Sequence, residues 1–284
     1  MAVVGFVGLG NMGSVLAGNL VTSGHSIVAY DVAGPDRLPE GAAFAGGVAE
    51  VARETDVIVL SLPDGAIAED VAKEIAAADD RRATHVVDTS TSGIQASRNI
   101  DALLTGHGTG FVDAPVSGGV AGARARTLAV MYAGSDDACA TAEPVLAGLS
   151  DRLFRVGDRP GLGQAMKLAN NFLSATTMAA TSEAVAFGVA AGLDMATMLE
   201  VLNASSGRSA ASTDKFPAQM LTGRYAAGFS NSLMAKDVRL YRAAVADLGG
   251  PAEIGTLICE LWDQFAEAEP GADFTRVFPF IRDR

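Results

Sequence analysis

Lys167 is the residue whose setting points most directly to proton chemistry. It stands in Gly161-Leu162-Gly163-Gln164-Ala165-Met166-Lys167-Leu168-Ala169-Asn170-Asn171, and it is alone in charge between Gly161 and Ser182. On a helix, Asn170 and Asn171 fall at i+3 and i+4 from it, one turn further along its face. An ammonium near a helix start, partly buried and beside two amides, has its pKa drawn down toward working pH and can act as a general acid/base. The alternative is a surface lysine whose stem covers apolar neighbours. Asp113-Ala114-Pro115-Val116-Ser117-Gly118-Gly119 supplies a hydroxyl and bare glycine amides that can nest a carboxylate, or it is a glycine hinge. Lys236-Asp237 is a third candidate. Only four of the 21 cationic side chains are lysines, namely Lys73, Lys167, Lys215 and Lys236.

A second pattern concerns an anion. Val3–Val7 leads into Gly8-Leu9-Gly10-Asn11-Met12-Gly13, a GxGxxG between a strand-like run and a helix-like one. The first glycine permits the turn, the second lets backbone approach a pyrophosphate, and the third lets the helix pack on the strand. Asp31, eighteen residues past Gly13, ends the next strand-like run, where an acid binds ribose hydroxyls and repels a 2′-phosphate. The expected cofactor is therefore NAD rather than NADP; the nearest arginine, Arg37, lies beyond Pro35. Ser61-Leu62-Pro63-Asp64 and Asp88-Thr89-Ser90-Thr91-Ser92-Gly93 follow two further strands, as cofactor wall or as helix caps.

The elements that must position these groups change character along the chain. Up to about residue 157, uninterrupted apolar runs (Val3–Val7, Ile27–Tyr30, Val57–Leu60, Val86–Val87, Phe111–Val112, Leu128–Tyr132, Leu153–Val156) alternate with helical stretches (Met12–Thr22, Ala66–Ala77, Gln95–Leu104, Asp136–Leu146). Such runs suit parallel strands covered on both faces, and their alternation with helices predicts a doubly wound α/β sheet. The last strands leave no room for a full crossover helix, so a different pairing is expected there. Residues 163–191 read as one long helix, followed by helices over Asp194–Leu202, Ser230–Leu248 and Ala252–Ala268. The expected organisation is a Rossmann-type domain over 1–160 and an all-α domain over 161–284.

Composition narrows the function. With 33 acidic against 21 basic residues and a net charge of −12, the chain lacks the basic clusters that bind nucleic acid. Cys139 and Cys259 form no CxxC, and His25, His85 and His107 show no ligand spacing, so neither a disulfide framework nor a metal site is expected. Residues 1–30 carry no charge, yet six glycines interrupt them and no basic start precedes them. A signal peptide or membrane span is not expected, and a cytoplasmic location is.

Together these pieces resemble the β-hydroxyacid dehydrogenase family, most closely its 3-hydroxyisobutyrate dehydrogenases. Gly8–Gly13, Leu62-Pro63, Asp88–Thr91, Asp113–Gly119, Gly161–Asn171, Ser205–Arg208 and Leu233–Asp237 carry the resemblance in the family's order, over nearly the whole chain. It implies a Rossmann domain, a long interdomain helix, and an all-α domain that makes a homodimer or homotetramer. It further implies that Ser117, Gly118 and Gly119 hold a small carboxylate substrate, that Lys167 is the acid/base, and that Asn171 orients the substrate hydroxyl. Gly8, Leu9, Gly10, Asn11, Met12, Gly13, Asp31, Leu62, Pro63, Thr91, Phe229 and Lys236 would contact the cofactor. The chain departs from the family at Asp64, where Asn or Thr is common, and at Ser209-Ala210-Ala211, where close members place an aromatic. Rival readings are reduction of tartronate semialdehyde or sulfolactaldehyde, oxidation of serine or threonate, and an NAD-binding sensor without chemistry. Imine reductases share the architecture but generally lack the lysine.

Overall fold

A computed structural model of the protein describes residues 2–284. The chain divides into two compact units, residues 1–167 and 168–284.

The first unit is a nine-stranded sheet: β1 (Val3–Val7), β2 (Ser26–Tyr30), β3 (Ala43–Phe44), β4 (Val57–Leu60), β5 (His85–Asp88), β6 (Gly110–Asp113), β7 (Val116–Ser117), β8 (Ala129–Ala133) and β9 (Arg152–Gly157). The order is β3-β2-β1-β4-β5-β6-β8-β7, with β9 paired to β8. The first six strands are parallel, and strand order reverses between β1 and β4, the crevice where such sheets bind ligands. Helices α1 (Gly13–Thr22), α2 (Val48–Glu54), α3 (Gly65–Ala77), α4 (Ile94–Gly106), α5 (Gly119–Arg124) and α6 (Asp136–Leu149) cover it. Successive strand residues face opposite sides. Val4, Phe6, Val57, Val59, Val87 and Val112 therefore enter one core, with Leu16, Leu20 and Leu146. Val7, Ile58, Leu60, Val86 and Phe111 enter another, with Val51, Ile75 and Leu104. Both faces being buried, the runs read as continuous rather than alternating.

The expected change of pairing falls after β6. β8 runs antiparallel to β6 and β7, and β9 returns parallel to β8. The six-residue α5 connects β7 to β8, and because those strands are antiparallel no crossover helix is needed there. Neither β3 nor β7 was expected, since a two-residue strand shows no periodicity.

The 29-residue α7 (Leu162–Ala190) begins in the first unit and continues into the second. The second unit adds α8 (Met195–Asn203), α9 (Asn231–Leu248), α10 (Glu253–Ala268) and α11 (Val277–Arg282). Asp194 and Ser230, expected as the first residues of their helices, are instead the N-caps of α8 and α9, accepting from Thr197 N and Leu233 N. Its core gathers Trp262, Phe265, Phe216, Phe278, Met178 and Val238, and the Trp262 indole N–H donates to Ala175 O at 3.3 Å. Residues Ala211–Met220 form an unexpected π-helical segment containing Pro217. Its start is closed by Ser209 and Ser212, each donating its amide to the other's hydroxyl at 2.9 and 3.3 Å. Among the described residues no helix is long and apolar enough to cross a membrane.

Candidate active site

The turn between β1 and α1 has the geometry its glycines require. Gly8 adopts φ +99°, and a Cβ there would lie 2.3 Å from Ser61 O; one at Gly13 would lie 1.9 Å from Gly8 O. Gly10 differs, because a Cβ there would meet nothing within 4 Å. Among the described residues the amides of Gly10, Asn11 and Met12 donate to no protein group. Open space in front of unpaired amides at a helix start fits a pyrophosphate. Asp31 ends β2 as expected, and its carboxylate also builds the loop, accepting from Leu9 N at 2.5 Å and Ala33 N at 2.7 Å.

Arg37, set aside in the sequence as lying beyond Pro35, returns to this loop. Pro35–Arg37 make one 3₁₀ turn, and the guanidinium donates to Asn11 Oδ1 at 2.9 Å. A tight turn after Pro35 was the signal that could have placed it.

The segments after β4 and β5 serve partly as caps. Asp64 accepts from Ile67 N at 3.0 Å and starts α3. That is a structural use for the residue at which the chain departs from the pattern it resembles. Leu62 N donates to Ser90 Oγ at 2.8 Å, which ties the Leu62-Pro63 turn to the loop carrying Thr91. Pro63 is exposed; Leu62 and Thr91 are half-buried.

Where β5 and β6 end, two acids face each other in register, Asp88 beside Asp113. Both are fully buried. Asp88 accepts from Ser90 N at 2.9 Å and from the Ser92 hydroxyl. Asp113 Oδ2 accepts from Gln164 N at 2.8 Å, while its Oδ1 is buried without a hydrogen bond. Burial pushes the Asp113 carboxyl up to about 7, opposed by backbone N–H donors from Gln164 and Gly161 and reinforced by the Asp88 charge. Gln164 itself bonds to the backbone of the Ser90–Gly93 loop. The first turn of α7 is thus fastened to the carboxyl ends of the sheet, and three residues on stands Lys167, 8% exposed.

In the second unit, Asn171 Nδ2 donates to Asp237 Oδ2 at 2.6 Å, and Asn171 Oδ1 accepts from Asn170 Nδ2 at 3.0 Å. Asp237 is 2% exposed and pairs with Lys236 at 3.2 Å. The structure therefore brings together Asn171 and the Lys236-Asp237 pair, and gives Asp237, named in the sequence only as the neighbour of Lys236, a contact of its own with Asn171. Phe229 packs edge-on against Phe274, centroids 5.8 Å apart. In the first unit, Ser117 closes β7, and Gly118 and Gly119 follow at φ +136° and +66°, with Gly119 opening α5. Among the described residues no group of three or more His, Cys, Asp or Glu side chains could hold a metal ion. Cys139 and Cys259 are buried and free.

A glycine loop with this geometry, at the switch point of a sheet ordered 3-2-1-4-5-6, defines a dinucleotide-binding protein. The buried lysine on an anchored helix is the kind of group an oxidoreductase uses to move a proton. Comparison with known proteins makes the class particular. The family described as "NAD binding domain of 6-phosphogluconate dehydrogenase" matches residues 3–157. The family described as "NAD-binding of NADP-dependent 3-hydroxyisobutyrate dehydrogenase" matches residues 161–281. A probable 3-hydroxyisobutyrate dehydrogenase of Mycobacterium tuberculosis is 34% identical, covering 100% of this chain and 99% of its own. The mitochondrial 3-hydroxyisobutyrate dehydrogenase of Homo sapiens is 33% identical over 99% of this chain and 87% of its own. The solved structure of the Mycobacterium tuberculosis 3-hydroxyisobutyrate dehydrogenase with L-serine superposes with a TM-score of 0.91 at 32% identity, covering 99% of both chains. The chain belongs to the β-hydroxyacid dehydrogenase family of nicotinamide-dependent oxidoreductases.

Proposed function

We propose that the chain interconverts a short β-hydroxy acid, of the 3-hydroxyisobutyrate kind, and its semialdehyde or oxo acid, with Lys167 as general acid/base. The observation that carries this reading is a buried lysine, 8% exposed, on a helix turn fastened to the sheet's carboxyl ends. Lys167 in its neutral form takes the hydroxyl proton during oxidation, and its ammonium returns that proton during reduction. Asp237 holds one amide hydrogen of Asn171 at 2.6 Å, which leaves the second for the substrate hydroxyl. Ser117, Gly118 and Gly119 receive the carboxylate and so fix the reacting carbon, a positioning effect that can be large. Gly8–Gly13 hold the pyrophosphate and Asp31 the ribose of a cofactor that is NAD by preference. Leu62, Pro63, Thr91, Phe229 and Lys236 complete its contacts. When bound, the nicotinamide supplies the hydride acceptor or donor.

The same reading assigns cofactor binding to residues 1–160, and substrate closure and oligomer formation to 161–284. Leu173, Phe187, Leu193 and Val201 of the second unit are each more than half exposed, which supports a homodimer or homotetramer. A cytoplasmic location belongs to the reading as well.

A panel of 3-hydroxyisobutyrate, 3-hydroxypropionate, serine, glycerate and threonate, assayed separately with NAD and NADP, tests the reaction. Lys167→Ala should lower turnover by at least about 10²-fold, the scale of one acid/base group. NADH binding, followed by fluorescence titration, should stay as in the parent. Near-normal turnover in that variant would overturn the role of Lys167. NADH binding without turnover across the panel would instead favour a sensor.

A further inference from the structure

The start of α7 is held more firmly than a helix end needs. Gly163 sits so close to the sheet that a Cβ there would lie 2.7 Å from Met131 O and 2.9 Å from Asp113 O. Asp113 takes the Gln164 amide at 2.8 Å, satisfying one donor that a helix start leaves open. The Gln164 side chain does the rest. It is fully buried; its Oε1 accepts from Ser92 N and Gly93 N, both at 3.1 Å, and its Nε2 donates to Ser90 O at 3.0 Å. Two N–H groups at one end of the amide and a carbonyl at the other permit only this orientation. The partners lie 71 to 74 residues away, in the loop that carries Thr91 and that receives Leu62 N on Ser90 Oγ. One amide therefore joins the helix bearing Lys167 to the loop bearing Thr91, one of the proposed cofactor contacts.

We propose that Gln164 is a positioning residue: by gripping the Ser90–Gly93 backbone it sets where Lys167, one helical turn further on, stands relative to the cofactor-side loop. The inference rests on Lys167 being the acid/base. A helix turn is stiff, so a shift of Gln164 is passed to Lys167, and a misplacement of about 1 Å can cost about 10²-fold in rate.

Gln164→Met keeps the length and volume but removes all three side-chain bonds, while Gln164→Glu keeps the acceptor. Turnover, KM for the fastest acid of the panel, and NADH affinity are measured for both. So is the primary isotope effect with that acid deuterated at its carbinol carbon. For Gln164→Met, kcat should fall about 10- to 100-fold, the isotope effect on kcat should rise as chemistry becomes the slow step, and NADH affinity should stay within about threefold. For Gln164→Glu, a neutral carboxyl can accept from the two amides and donate to Ser90 O, so activity near pH 6 should approach the parent's. It should fall further below the parent's by pH 9, where the ionised side chain can no longer donate to Ser90 O and places a charge one turn from Lys167. A folded Gln164→Met protein with kcat within about twofold of the parent overturns the proposal. So does a kcat loss with an unchanged isotope effect and matching loss of NADH affinity, the pattern of a merely structural residue. If Gln164→Met does not fold, Gln164→Glu decides alone, and a pH profile parallel to the parent's overturns it. Lys167→Ala is assayed alongside. If it stays active the acid/base reading fails; if it is inactive while Gln164→Met is normal, only the positioning role fails.

Discussion

At the outer edge of the glycine loop, Asp31 and Arg37 should pull cofactor choice in opposite directions. Each Asp31 oxygen already accepts one backbone N–H, but a carboxylate has about four acceptor sites, so two ribose hydroxyls can still be received. Its charge opposes a 2′-phosphate. Arg37 spends one guanidinium N–H on Asn11 and has others to offer to a phosphate. The expected outcome is a protein that prefers NAD yet turns over NADP measurably. Arg37→Ala should lower kcat/KM for NADP by about 3- to 10-fold, the worth of one partly exposed charge-assisted contact. The value for NAD should be unchanged. Initial rates with the two cofactors on one substrate check this, and equal losses for both would remove Arg37 from cofactor choice.

The turn from β1 into α1 separates folding from binding among its own glycines. A Cβ at Gly13 would collide with Gly8 O at 1.9 Å, whereas one at Gly10 meets open space. Gly13→Ala should therefore lower the melting temperature and cofactor affinity together. Gly10→Ala should melt like the parent while binding NADH about tenfold or more weakly, a loss of about 1.4 kcal/mol or more, because its methyl stands where the pyrophosphate must come close. Thermal denaturation and NADH fluorescence titration on the two variants decide it; wild-type affinity in Gly10→Ala would sink the idea. What was legible in the sequence follows the same physics. Val57–Leu60 and Val3–Val7 announced their strands because both sheet faces are buried, and Lys167 stood out because no other charge accompanies it. The two-residue β3 and β7 have no period to read, and the Ala211–Met220 segment hides behind Pro217. Gln164 was invisible for a different reason. Its role consists of bonds to main chain more than 70 residues away, and backbone partners leave no mark in side-chain patterns.

For the whole molecule, the acid Asp113 in a chain of net charge −12 makes stability depend on pH in an unusual direction. An unfolded aspartate ionises near 3.8, whereas burial pushes folded Asp113 up to about 7. Between these values the folded state holds a proton the unfolded state has lost, so stability from this group is full below about pH 4 and declines as pH rises to about 7. At 1.36 kcal/mol per pH unit, the decline is on the order of 4 kcal/mol. Acids with lowered values, such as the half-buried Asp56 beside Val3 N and Arg82, act the other way, gaining stability as pH rises through the acid range. The difference between two proteins isolates Asp113. Asp113→Asn, which cannot ionise, should show a denaturation midpoint that falls less between pH 5 and 8 than the parent's. General repulsion among the surface acids would also weaken the fold at high pH, but salt screens exposed charges far more than buried ones. The gap between parent and variant should therefore persist in 0.5 M salt, about three times the physiological ionic strength. Parallel curves would mean that Asp113 stays ionised in the folded protein, with its charge met by the amides at the start of α7. A gap that closes in salt would assign the pH dependence to the surface instead.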